Sequence, residues 1–207
     1  MDKLHFFDQI NIEIPFETIY SRLGYRQGIT RLTGRQKEEI DSYINEAARL
    51  LRLKGVGRRA EIIGRKPKAL ELSGGVIFES SLLVSVFPNV SELLLIGATS
   101  GSGIITAIEN CQKQDLTRGV VFDAVASETV DLCLDWICDY FNRLLKRENK
   151  QLTAKRISCG YSDFQLENQK IFYEFLELAK LDVSLNDECM LKPEKSVTAV
   201  VGVMEVK

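Results

Sequence analysis

Histidine is nearly missing from this sequence: His5 stands alone among 207 residues. With one imidazole and no Cys-x-x-Cys pair, the usual ligands of a zinc site are not assembled, and histidine-based acid–base catalysis has no agent. A basic surplus is also missing. Lys and Arg number 27 against 29 Asp and Glu, a formal charge of −2, which argues against a nucleic-acid partner. No run reaches the roughly 18 uninterrupted apolar residues of a membrane span. Met1 to Phe7 shows no basic segment leading into an apolar run, so no signal peptide is expected. The five cysteines, Cys111, Cys133, Cys138, Cys159 and Cys189, are odd in number. They suit a reducing cytoplasm better than a disulfide framework, and a cytoplasmic location is the expectation.

What is present is an ordinary apolar supply, 45% of the residues, enough for one large core or two small ones. Ile10, Ile12 and Ile14 alternate with polar residues, the period of a half-buried strand. Pro15 then opens a short helix stopped by Gly24, and Thr33 with Gln36 reads as a capping box opening a helix to about Leu53, ended by Gly55 and Gly57. Three β-leaning pieces follow, 61–63, 69–72 and 76–78, then a short helix from Ser80 to Phe87. Leu93 to Ile96 is continuous enough for a fully buried strand. The glycine-rich turn from Gly97 to Gly103 leads into another helix. It matches neither a Walker A loop nor G-x-G-x-x-G, since Thr106 stands at the last glycine's place, so a tight strand-to-helix turn is the simpler reading.

From Val121 to about Arg147, apolar residues recur at steps of three and four, predicting one helix roughly 40 Å long to back the sheet. Lys146 to Lys150 reads as its solvated exit. Ser162 with Gln165 offers a second capping box, and Ser196 to Val203 is a closing strand. Strands and helices do not alternate regularly, so the fold class is α+β with a mostly antiparallel sheet, in one domain over residues 1–207. Within it, residues 15–53 are the helical N-terminal part and 151–207 a C-terminal motif region.

Three groups of residues could carry chemistry. Arg58, Arg59, Arg65, Lys66 and Lys68 form a local basic stretch, either a solvated strand edge or a docking patch for an acidic electron carrier. Glu128, Asp131, Asp135 and Asp139 can line one face of the long helix, where they would either meet water or steer a cationic sulfonium. In Arg156-Ile157-Ser158-Cys159-Gly160-Tyr161, a planar guanidinium fork suits a carboxylate, the glycine admits close backbone approach, and the tyrosine offers an aromatic face with a hydroxyl.

That last stretch is followed by Leu185 to Glu188, Met190 to Pro193, and Ser196 to Ala199. In this order and spacing the segments resemble the C-terminal half of the activation domain of cobalamin-dependent methionine synthase. Arg22-Leu23-Gly24-Tyr25, the Ile96 to Gly101 turn and Phe122 to Glu128 extend the likeness toward compact stand-alone members. Two positions depart from the pattern: Ile12 stands where longer members carry an aspartate, and Cys159 where they carry proline.

The resemblance implies a C-shaped α+β domain around a twisted sheet that binds S-adenosylmethionine. Arg156 would grip the methionyl carboxylate, backbone from Ser158 through Cys159 and Gly160 to Tyr161 would approach the adenosyl group, and Tyr161 would lie near the methyl donor or the corrin. Glu128, Met190, Pro193 and Ser196 are further candidates. No metal site is implied in the chain itself, since the cobalamin is held by a partner protein. That partner is a methionine synthase lacking this module or another corrinoid protein, with flavodoxin or ferredoxin as electron donor. The resemblance thus makes the chain part of a methyltransferase system and not a complete enzyme. A rival reading is an assembly partner of another corrinoid methyltransferase that no longer binds S-adenosylmethionine.

Overall fold

The structure is a computed structural model that describes residues 3–206; Met1 and Asp2, which belong to the signal-peptide reading, and Lys207 lie outside them. The chain opens with β1 (His5–Phe7). The isoleucine alternation that follows is an extended segment and not a strand: Ile10 is buried and its N–H donates to Leu53 O (2.9 Å), while Ile12 and Ile14 pack on the core. Alternation reports which side chains turn inward, not whether a neighbouring strand is free to pair. After Pro15 comes α1 (Phe16–Arg22), stopped where Gly24 takes φ of 87°. The first capping box forms as its residues dictate. Gln36 N–H donates to Thr33 Oγ1 (3.3 Å) and Thr33 N–H to Gln36 Oε1 (2.9 Å), opening α2 (Gly34–Leu50).

The next strand, β2 (Lys54–Lys66), swallows Gly55 and Gly57, which do not end the helix as expected. It is followed by β3 (Ala69–Leu72), β4 (Val76–Glu79), α3 (Ser81–Val86), and β5 (Glu92–Thr99), every residue of which is buried. α4 (Ser102–Gln114) starts after a turn at Gly101, and α5 (Leu116–Leu145) begins five residues before the expected Val121. Lys146 to Asn149 form the solvated exit expected, Lys146–Glu148 as a single 3-10 turn, and β6 (Lys150–Ile157) starts where it ends. The remaining elements are α6 (Gln169–Phe175), a small hairpin of β7 (Ser184–Leu185) and β8 (Leu191–Lys192), and β9 (Ser196–Glu205).

The main sheet runs β4-β3-β2-β5-β9-β6, with β1 also on β2, and all of its pairings are antiparallel. This is the α+β architecture with one long helix that the sequence predicts. Alternate residues of β9 feed two cores. Ala199, Val201 and Val203 face α1, α2, α4 and α5, while Val200 joins Phe78, Phe164 and Phe172 on the α3 and α6 side. β5, covered on both faces, is therefore apolar from Leu93 to Ala98.

The β2 glycines show how closely α5 approaches the sheet. A Cβ at Gly57 would stand 2.4 Å from Phe141 Cε2, and one at Gly55 2.6 Å from Ile137 Cδ1. Gly57→Ala is expected to cost about 1–3 kcal/mol by overpacking. Urea unfolding checks this, and an unchanged midpoint would mean that Phe141 swings clear at no cost.

Candidate functional site

The strand that sequence periodicity missed, β6, positions the predicted arginine. Arg156 lies opposite Val201 of β9, so its side chain emerges on the face covered by α5. There its fork meets two carboxylates one helical turn apart: Nη2 is 2.7 Å from Asp131 Oδ1, and Nη1 bonds Asp135. Burial alone pulls the guanidinium pKa down, but Asp131 and Asp135 outweigh it and the net shift is upward, so Arg156 is a permanent cation. Its side chain is 23% exposed, whereas those of Asp131 and Asp135 are 62% and 58% exposed.

The same helix face holds two more cations from distant parts of the chain. Glu128 pairs with Arg22 at the end of α1 (2.8 Å). Lys195, just before β9, lies 2.7 Å from Asp123 and donates to Ser127 Oγ (2.9 Å). The acidic row is therefore not a plain solvated face. Asp123, Ser127, Asp131 and Asp135 recur every fourth residue and tie α5 to β6 and to the lead-in of β9. Along this stretch of α5 the three carboxylates Glu128, Asp131 and Asp135 are met by the two guanidiniums of Arg22 and Arg156, leaving one negative charge. Asp139 takes no part and lines a separate cleft of about 660 Å3.

Beyond Ile157 the chain leaves the sheet edge through Ser158 and Cys159 into a tight turn. Gly160 has φ of 92°, its N–H donates to Phe164 O (2.7 Å), and Phe164 N–H returns to Tyr161 O (2.9 Å). Buried Phe164 anchors the turn, and Tyr161 projects from it, 65% exposed. Cys159 packs into the α6-side core, where burial pushes its thiol up to about 12. It is neutral at physiological pH, which suits a packing residue better than a redox one.

The capping box expected at Ser162 and Gln165 does not form. Ser162 has φ of 54°, outside the extended conformation an N-cap needs, and α6 begins only at Gln169 without a side-chain cap. The neighbouring Asp163 does the capping, but for a different helix. It accepts from Ser80 Oγ (2.7 Å) and from the N–H groups of Ser81 (2.6 Å) and Leu82 (3.1 Å) at the start of α3. The Ser80 hydroxyl and those backbone donors hold its carboxyl at about 2, below the roughly 3.9 of an unfolded aspartate. Its contribution is complete above about pH 4 and is lost as pH falls through its folded value. Asp163→Ala is expected to lower the melting temperature at pH 7 and to flatten its decline between pH 4 and 2. Equal declines in both proteins would show that the cap does not couple to folding.

The other candidates are spread out. Ser196 Oγ donates to Thr99 Oγ1 (2.8 Å) at the end of the sheet, next to Lys195. Met190, 49% exposed, sits in the turn of the β7–β8 hairpin with its N–H held by Asn186 Oδ1 (2.7 Å), and Pro193 follows β8. The structure thus sets Arg156 against the helix that also carries Glu128, runs the 158–161 loop directly on from β6, and holds Met190 and Pro193 in a hairpin that packs on α6 and β9. Sequence reasoning missed Asp123, Lys195 and Asp163. Only Arg22 carried a signal, through its Arg-Leu-Gly-Tyr turn.

The basic stretch divides: Arg58 and Arg59 are taken up inside the fold, whereas Arg65, Lys66 and Lys68 lie exposed toward the sheet edge. Arg58 lies over the Phe175 ring (4.3 Å), Arg65 donates to Val90 O (3.3 Å), Lys66 pairs with Glu71 (2.5 Å), and Arg59 is locked to Glu92 and Glu148. Among the described residues no helix is long and apolar enough to cross a membrane, and no group of three or more His, Cys, Asp or Glu side chains could hold a metal ion.

Fold and site together define an α+β domain in which an antiparallel sheet is backed by one long helix whose carboxylates clamp an edge-strand arginine. The chain is similar to the MetH reactivation domain in its crystal structure bound to AdoHcy, with a TM-score of 0.62, 14% identity, and coverage of 97% of this chain and 78% of that one. At this identity the likeness establishes the fold. No family model and no curated protein matches the sequence.

Proposed function

We propose that this chain is an accessory reactivation module that binds S-adenosylmethionine and supports reductive methylation of cob(II)alamin on a separate cobalamin-dependent methionine synthase. The observation that carries the reading is the arginine at the head of the glycine-tyrosine turn, set against a carboxylate row, in a fold similar to one bound to AdoHcy. The charges suit the ligand. S-adenosylmethionine carries a carboxylate, an ammonium and a sulfonium, a net +1, against the single negative excess along that stretch of α5. The Arg156 fork would take the ligand carboxylate, and Glu128 with whichever aspartate is released would face the cations. Release is inexpensive. Asp131 and Asp135 are more than half exposed, and exposed ion pairs contribute only about 0–1 kcal/mol each.

Backbone from Ser158 to Gly160 would meet the adenosyl group, and exposed Tyr161 the methyl donor or the corrin. Ser196 and the hairpin residues Met190 and Pro193 would border the ligand from the β9 side. The ligand supplies an electrophilic methyl group. The chain's part is to position it and to keep its charges matched. The corrinoid would remain on the partner, and flavodoxin or ferredoxin would provide the electron.

Calorimetric titration of S-adenosylmethionine into the protein tests this: saturable binding of one ligand per chain is expected. A flat titration would sink the reading in favour of an assembly partner for another corrinoid methyltransferase. One observation favours that second reading: the Arg156 fork is already filled by Asp131 and Asp135.

A further inference from the structure

The Arg22-Leu23-Gly24-Tyr25 turn faces two ways. Arg22 reaches back to Glu128 on α5, whereas Tyr25 lines a cleft of about 1040 Å3 between α1 and the start of α2. We propose that this cleft binds a planar aromatic ring bearing phosphate, a mononucleotide in chemical class. It lies at the upper end of the roughly 300–1,000 Å3 typical of small-ligand sites. Phe16, Tyr20 and Tyr25 bring aromatic rings to its wall. Tyr20 is fixed by donating to Asp41 (2.8 Å), which Lys37 also holds (2.7 Å), and Tyr25 packs edge-on against it with ring centroids 5.6 Å apart. A rigid aromatic wall stacks a heterocycle without losing side-chain freedom on binding.

The same lining supplies the anion partners. Arg26 and Arg31 line the cleft, both exposed, and among the described residues neither guanidinium takes part in an ion pair or side-chain hydrogen bond. The loop between them is pinned: Thr30 Oγ1 accepts from Arg26 N–H (2.9 Å), and Thr30 N–H donates to Arg26 O (2.8 Å). Two guanidiniums free of carboxylates, on a fixed loop beside aromatic rings, suit a phosphate attached to a flat ring; planar forks bind phosphate bidentately. Arg22, Arg59, Arg118 and Arg156, by contrast, each hold a carboxylate. Glu17 is the lone carboxylate among the residues lining the cleft.

ADP is the probe, titrated at low salt into the protein and into Arg26→Ala/Arg31→Ala, with adenosine and inorganic phosphate as separate controls. The expected result is saturable binding, weakened at least tenfold in the double variant and for either control, and unchanged by Arg156→Ala or by saturating S-adenosylmethionine. The replaced arginines are exposed, so folding of the variant is secure. Tyr25→Leu, which keeps an apolar body against Tyr20, is expected to weaken ADP severalfold while leaving phosphate alone unaffected. Absence of saturable ADP binding, binding retained in the double variant, or competition by S-adenosylmethionine would each overturn the assignment. The last two outcomes place ADP elsewhere and leave the reactivation reading untouched.

Discussion

Arg156→Ala is expected to weaken S-adenosylmethionine binding by roughly ten- to a hundredfold, the equivalent of about 1.5–3 kcal/mol for hydrogen bonds to a charged group. The size follows from what is removed. On the proposed reading the fork would supply two parallel donors to a ligand carboxylate, and without it Asp131 and Asp135 would face that carboxylate with nothing between them. Arg156→Lys is expected to fall in between, since an ammonium keeps the charge and loses the planar fork. Stability should change by only about 1 kcal/mol, because both aspartates are more than half exposed and regain water. Calorimetry of the three proteins, with thermal melts beside it, separates loss of the site from loss of the fold. Equal affinities across the series would remove Arg156 from the binding site, whatever the fold resembles.

The largest stability effect is expected at Glu92, where β5 begins. Its carboxylate is 8% exposed and lies between Arg59 Nη2 (2.7 Å), with a side chain 12% exposed, and Lys150. Arg59 also grips Glu148 with both Nη atoms, at 2.6 and 2.7 Å. The group joins β2, β5 and the first residue of β6. Glu92→Ala strands a guanidinium and an ammonium with too little water and one remaining carboxylate, which for buried pairs costs about 3–5 kcal/mol. Glu148→Ala, at a side chain 42% exposed, should cost far less. Removing charge on both sides, as in Arg59→Met with Glu92→Leu, should recover much of the loss, because burying the pair was itself expensive. Urea unfolding of the three variants measures the difference; a loss below about 1 kcal/mol for Glu92→Ala would mean that water reaches the cluster.

Legibility in the sequence follows the range of the forces involved. The Thr33–Gln36 box, the α1 stop at Gly24, the apolar run of β5 and the stripe of α5 are local or single-face patterns, and each appears where its residues place it. The glycines of β2 looked like helix stops because their reason is a partner far along the chain: the room they leave is filled by Ile137 and Phe141. β6 was hidden for a related reason. It is an edge strand with charged residues at Lys150, Lys155 and Arg156, so it has no clean alternation, and its ladder with β9 depends on a strand forty residues later. Ser162 had the right residue type for a cap and the wrong backbone, while Asp163 capped a helix eighty residues upstream.

By itself the sequence determined the fold class, the long helix, the near absence of histidine, and the identity of the arginine, glycine and tyrosine at the candidate site. Composition and local periodicity act through contacts a few residues apart, and those survive in any reading of the chain. Only the tertiary structure decided what these residues face: that Arg156 is held between Asp131 and Asp135, that Glu128 answers Arg22, that Arg58 and Arg59 are spent inside the fold, and that Tyr25 opens onto a second cleft. Pairings between charges a hundred residues apart leave no mark in local spacing, because they depend on which strand edge meets which helix face once both cores have closed on the sheet.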